Sequence, residues 1–325
     1  MTLYKTAVKI LKATLGIQSN KKELLPRLPF KVEVKSLLTD FKSVEKISYS
    51  TNLDGYLTVK ETRENPSFEF SGEKAIFKGS FLKLTREASD LRFALWGNQG
   101  FLYRFALYLL EKKHNIYSFH ACALYNEKKN ALYLIIGGAG SGKTVYLLGG
   151  LAKGLKLFST ETVHFRIDNS DISWFMGSLI DNVRFGTLLF DFPQFLPDVE
   201  TPKLDKVWLE KIALDLSLYK AKFEEIKNLQ SVYILFPRIE QGYKGFLLNS
   251  IGDKREAAKA LFDNISQKLT ETVILYDKIP VPGFYETEMA LQRLKNVNRL
   301  VQHNSITQIA SILSNPNDCW GDILK

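Results

Sequence analysis

The run Gly137-Gly138-Ala139-Gly140-Ser141-Gly142-Lys143-Thr144 narrows the folds open to this chain more than any other feature. It fits the pattern G-x-x-x-x-G-K-[ST], in which glycines let successive backbone N–H groups turn toward one anion. A chance match somewhere in a chain of this length is roughly a 1% event at average residue frequencies. Upstream, residues 131–136 (ALYLII) form an apolar run of buried-strand length. Downstream, residues 145–153 can form a helix that closes at Gly154. Strand, glycine loop and helix in that order are the setting the pattern requires. The helix start adds partial positive charge to the anion seat. Lys143 is expected to reach the β- and γ-phosphates of a nucleotide, and the Thr144 hydroxyl to bind Mg²⁺. Gly149 and Gly150 interrupt the helix at about 1 kcal/mol each against alanine, which predicts close packing on the sheet there.

Such a loop names a ligand and not a reaction. Chemistry also needs an acidic group near the metal. Residues 188–191 (LLFD) and 273–277 (VILYD) are apolar runs ending in Asp191 and Asp277, a form the metal's acid can take, although such a run is more often just a strand end. The polar stretch 181–186 (DNVRFG) between apolar runs offers Arg184 as a stabiliser of phosphoryl charge and Asp181 as an alternative metal or base group. A surface turn with a local ion pair is the competing account of it. Arg238, after Pro237, reads as a solvent-facing cation or one approaching the nucleotide.

The remainder sets the frame. With 325 residues the chain has room for about two domains. No stretch approaches the roughly 20 apolar residues of a membrane helix. Two cysteines, Cys122 and Cys319, exclude a disulfide scaffold and suit a cytoplasmic setting. The net charge is +9, of which residues 1–35 hold eight basic side chains against two acidic ones, or +6. The rest is nearly neutral, which argues against a nucleic-acid groove across the protein, so no nucleic-acid partner is expected. Residues 3–15 place Leu3, Ala7, Ile10, Leu11 and Leu15 on one helical face, with Lys5, Lys9 and Lys12 off it. That predicts a basic amphipathic helix, either packed on the body or touching a membrane surface or a partner. Segments 1–28, 29–95 and 96–325 are read as helix and linker, a β-rich accessory domain and the loop-bearing domain. In the β-rich part, residues 30–34, 48–51 and 56–59 read as strands, and 68–70 with 75–77 as a hairpin. Residues 98–113, 285–299 and 305–313 read as helices. His114, His164 and His303 show no metal pattern, and Cys122 reads as a small buried hydrophobe.

Around the loop the chain resembles the C-terminal domain of HPr kinase/phosphorylase and its HPr-serine-kinase-like group. The resemblance rests on Ser118-Phe119-His120-Ala121-Cys122-Ala123-Leu124, on residues 132–144, on the helix closing at Lys153-Gly154 and on the strand 156–163. It extends more weakly to residues 229–237 and 254–258. It implies an α/β P-loop core with a mixed HPr-kinase-like sheet. It also implies a kinase that transfers the γ-phosphoryl group of ATP or GTP, with Mg²⁺, to a hydroxyl of a peptide, protein or small molecule. Residues 137–144 would hold the nucleotide. Glu161 would be base or metal ligand beside Thr144, and His120 and Arg184 would assist. The chain departs from the family where Thr160-Glu161 replaces an acidic pair, where Ala139 stands for a frequent serine, and where the signature for the protein substrate is missing. A nucleotide-binding regulator or slow ATPase is the alternative, and a homo-oligomer is compatible with either.

Overall fold

The computed structural model describes residues 3–26, 44–138, 140–321 and 323–324. It is a mixed α/β protein with several sheets and few helices. The chain divides into two compact units: residues 1–117 with 266–290, and residues 118–265 with 291–325.

The first unit is built on a six-stranded sheet. Its spatial order is Val44–Ile47, Tyr4–Ile10, Ala13–Ser19, Gly55–Glu61, Lys74–Gly79, Ser67–Ser71. The basic helix expected over residues 3–15 is replaced by two antiparallel strands, paired Val8 to Leu15 and Ile10 to Ala13. The turn between them places Leu11 at φ 57°. Two periodicities compete in this sequence. Val8, Ile10, Ala13, Leu15 and Ile17 satisfy the period of two and are all fully buried. Neighbouring strands on both sides of the hairpin reward that pattern, whereas an isolated helix this short is marginal. The hairpin expected over 68–77 is present, as is a strand containing residues 56–59. Residues 48–51 are irregular, and residues 30–34 lie outside the described residues.

Helix Phe101–His114 is buried over eleven consecutive residues, from Phe101 to Glu111. It ends at Asn115 in the left-handed region, with Lys112, Lys113 and His114 in its last turn. It packs where Gly55 has no side chain, since a Cβ there would lie 2.6 Å from Leu109 Cδ1. Rings of Phe68, Phe70, Phe77, Phe101, Phe105 and Phe284 interlock in this unit, with centroids as close as 4.7 Å.

A nine-stranded sheet underlies the second unit. Its centre is three parallel strands, Ala131–Ile136, Ser231–Ile239 and Ile306–Ser314. Tyr117–Asn126 and Phe246–Ser250 flank them antiparallel. The segment 305–313, expected as a helix, is therefore a central strand. Its alternation of buried Ala310, Ile312 and Ser314 with less buried neighbours has the strand period. Ala131–Ile136 is buried at all six positions, as a central strand covered on both faces should be. The expected strand 156–163 is two strands, Lys156–Ser159 and Thr162–Asp168, broken at Thr160-Glu161. Helix Lys143–Ala152 follows the glycine loop, and Gly150 packs closely on the sheet as expected, while Gly149 makes a second close contact that the sequence did not predict. A Cβ on Gly149 would lie 2.3 Å from Cys319 Sγ, and one on Gly150 2.2 Å from Leu124 Cδ1 and 3.0 Å from Trp320. The glycines thus admit the C-terminal Cys319-Trp320 as well as the sheet.

Candidate phosphate-binding site

Strand Ala131–Ile136 delivers the chain to Gly137, and the helix begins at Lys143. Between them Gly140 has φ 81° and Gly142 φ 97°. These are left-handed conformations that glycine adopts at little cost. At Gly142 there is also no room, because a Cβ would lie 2.5 Å from Ile239 Cγ1. Gly138 and Gly140 face open space. Ala139 lies outside the described residues. The Ser141 amide donates to Gly138 O at 3.4 Å, closing a tight turn. The Lys143 ammonium bends back over the loop and donates to Gly137 O at 2.7 Å and Gly138 O at 2.9 Å. An ammonium held on neutral carbonyls beside an open glycine turn is a cation placed where an anion can take it over.

Thr144 presents its hydroxyl to Asp181, donating to Oδ2 at 3.0 Å. Asp181 sits on strand Ile180–Arg184, which pairs with Lys211–Asp215 and is only 3% exposed there. Burial raises its carboxyl well above the ordinary carboxylate range, and the nearby Glu161 charge pushes the same way. Glu161 fills the break between two strands. Its carbonyl accepts from the Ala121 amide at 3.0 Å, and its carboxylate lies 3.3 Å from His120 Nε2. The His120 backbone is gripped in turn by Asn264, which accepts from His120 N at 2.9 Å and donates to His120 O at 3.3 Å. Thr160, where the resemblance calls for an acid, is 2% exposed and donates to Ile180 O at 2.7 Å. Its hydroxyl closes the backbone between Glu161 and Asp181.

The structure thus brings two pairs together, Thr144 with Asp181 and His120 with Glu161. Other candidates find partners elsewhere. Arg184 is exposed and donates to the Trp208 carbonyl. Arg238 pairs with Glu240 at 2.5 Å on the surface. Asp191 ends a short π-helical turn, Thr187–Asp191. Asp277 belongs to the first unit, in a turn where it accepts from the Ser89 amide at 2.8 Å. His164 is fully buried against Ser118 Oγ at 2.7 Å. Among the described residues no group of three or more His, Cys, Asp or Glu side chains could hold a metal ion. Sequence reasoning missed Asn264, and no local signal could have found it, because it lies 144 residues from the histidine it clamps.

No family model matches this chain. A curated relative is the type I restriction enzyme MjaVIII specificity subunit of Methanocaldococcus jannaschii, 27% identical over 139 residues. The match takes in 38% of this chain and 33% of the relative, so the chain spans about a third of that protein's length. These findings overturn the resemblance to HPr kinase/phosphorylase and the phosphotransferase activity drawn from it. They also overturn the expectation of a hydroxyl acceptor and of no nucleic-acid partner. The physical reason is that a glycine loop is a local backbone geometry and leaves the reaction open. In place of a second acid the chain has a threonine satisfied by backbone. Over those 139 residues this chain is similar to a restriction enzyme's specificity subunit.

Proposed function

We propose that this chain takes part in DNA recognition within a larger assembly, and that its Gly137–Thr144 loop is a phosphate seat. The observation that carries the DNA reading is the similarity to a restriction enzyme's specificity subunit. The charge supports it. The net +9 is concentrated near the start of the chain, where Lys5, Lys12, Lys21 and Lys22 are exposed around the first hairpin. Phosphate contacts by such side chains supply most non-specific DNA affinity and make it salt-dependent.

For the loop, the finer architecture we propose is a P-loop unit inside the larger sheet, with a nucleoside triphosphate and Mg²⁺ as its ligands. Its open glycines, the Lys143 ammonium and the helix start support that reading. Mg²⁺ is usually held through one or two carboxylates together with water and phosphate oxygens. The Thr144 hydroxyl with the buried Asp181 carboxylate, and Glu161 nearby, fits that need. The free thiols of Cys122 and Cys319 support a reducing, cytoplasmic setting. Among the described residues no helix is long and apolar enough to cross a membrane.

Gel-shift titration of the full chain with duplex DNA at low and moderate salt tests the first reading. We expect binding that weakens steeply with salt, and no shift at low salt would overturn it. Equilibrium binding of fluorescent ATP with Mg²⁺ tests the second. We expect binding that Lys143→Ala abolishes, and equal binding by both proteins would remove the loop from the account.

A further inference from the structure

We propose that a recess beside Arg104, in the first unit, binds a small oxyanion, a carboxylate or phosphate head group. The recess measures about 80 Å³ and is lined by Phe93, Gln99, Tyr103, Arg104, Lys268 and Glu271, among others. Arg104 projects from helix Phe101–His114, whose neighbouring positions are apolar, and is only 4% exposed. Its Nη2 donates to Leu269 O at 3.4 Å and to Glu271 O, the carbonyls at the end of helix Lys254–Thr270. Its Nε is buried and has no hydrogen-bond partner.

A guanidinium carries five N–H donors and a full charge. Two carbonyl oxygens return only partial negative charge, and a buried cation without a counter-ion is costly. The Glu271 carboxylate acts on Arg104 at longer range, and its residue is exposed. Desolvation still dominates, pulling the guanidinium down to about 10. What is missing is a negative charge close to the guanidinium, which a carboxylate or phosphate in the recess offers. Lys268, half-buried at the rim, supplies a second cation, and Gln99 an amide donor. The rings of Phe93 and Tyr103 also line the recess. At about 80 Å³ the recess has room for a few waters, which suits a head group rather than a nucleotide. The site is therefore independent of the loop in the second unit.

The test uses the full chain carrying Lys143→Ala, so that the loop does not compete, titrated calorimetrically with inorganic phosphate and, separately, with succinate. One-site uptake of either is expected, falling at least about tenfold in Arg104→Gln, as removal of a charge-assisted pair should cause. Uptake of phosphate alone or succinate alone identifies the head group. Lys268→Ala, at the rim, should weaken the same uptake several-fold and carries the test if Arg104→Gln does not fold. No uptake of either anion at millimolar concentration, or uptake indifferent to both substitutions, would overturn the proposal and leave Arg104 as a helix cap.

Discussion

Two buried titratable side chains in the second unit respond to pH in opposite senses. In an unfolded chain the Asp181 carboxyl ionises near pH ~4. In the folded chain, burial holds its proton to higher pH. Below ~4 both states are protonated and the residue does not bias folding. As pH rises past that point the unfolded state sheds a proton the folded state keeps, so stability falls until the raised folded value is passed. Asp181→Asn should therefore raise the melting temperature at pH 8 by about 2–4 °C, the equivalent of about 1 kcal/mol, and leave it unchanged at pH 4. Asn can still accept from Thr144, so equal shifts at both pH values would sink the argument. His164 works the other way. Burial drops its folded pKa to about 3, whereas the unfolded value is near ~6.5. Stability is unaffected above that value and is lost as pH falls through it. His164→Gln should cost less at pH 5 than at pH 7.5 in urea denaturation, and a constant cost would refute the buried neutral imidazole. Neither behaviour was legible in the sequence, because both depend on what lies across the fold from the side chain.

At the scale of elements, the helix after the loop shows a propensity overridden by packing. Replacing an exposed helix glycine with alanine gains about 1 kcal/mol. At Gly149 the new Cβ would lie 2.3 Å from Cys319 Sγ. We expect Gly149→Ala to destabilise the protein by about 1–2 kcal/mol, since overpacking outweighs propensity here. Adding Cys319→Ala should recover part of that stability, a coupling that a double-mutant cycle in urea reads directly. Additive effects would show that the two residues do not touch. The strand–loop–helix unit itself was legible because its signals are local: apolar run, glycines, then helix formers. The first hairpin was not. Its lysines and apolar residues fit a helical face and a strand face equally, and the choice fell to the adjoining strands Val44–Ile47 and Gly55–Glu61.

The whole molecule joins a neutral majority to a basic beginning. If DNA recognition uses that asymmetry, the variant with Lys5, Lys12, Lys21 and Lys22 all changed to alanine should bind duplex DNA more weakly. It should also show a shallower salt dependence, by up to about 0.9 in log–log slope for each phosphate no longer neutralised. An unchanged slope in the gel-shift titration would move the DNA-binding surface elsewhere on the molecule. The sequence pointed the other way: it placed most of the charge in residues 1–35 but took the nearly neutral remainder as the argument against a nucleic-acid groove, and only the fold shows which of those lysines a hairpin turns to solvent.

By itself the sequence determined the glycine loop, its flanking strand and helix, the long buried helix Phe101–His114 and the hairpin ending in Lys74–Gly79. All follow from residues within one or two turns of each other. Only the tertiary structure decided that Asp181 meets Thr144 from 37 residues away, that Asn264 clamps His120, and that residues 306–314 are a central strand. Those outcomes rest on pairings across the chain. A buried hydrogen bond or strand pairing is favourable only once both partners have left water together, and no local pattern records that.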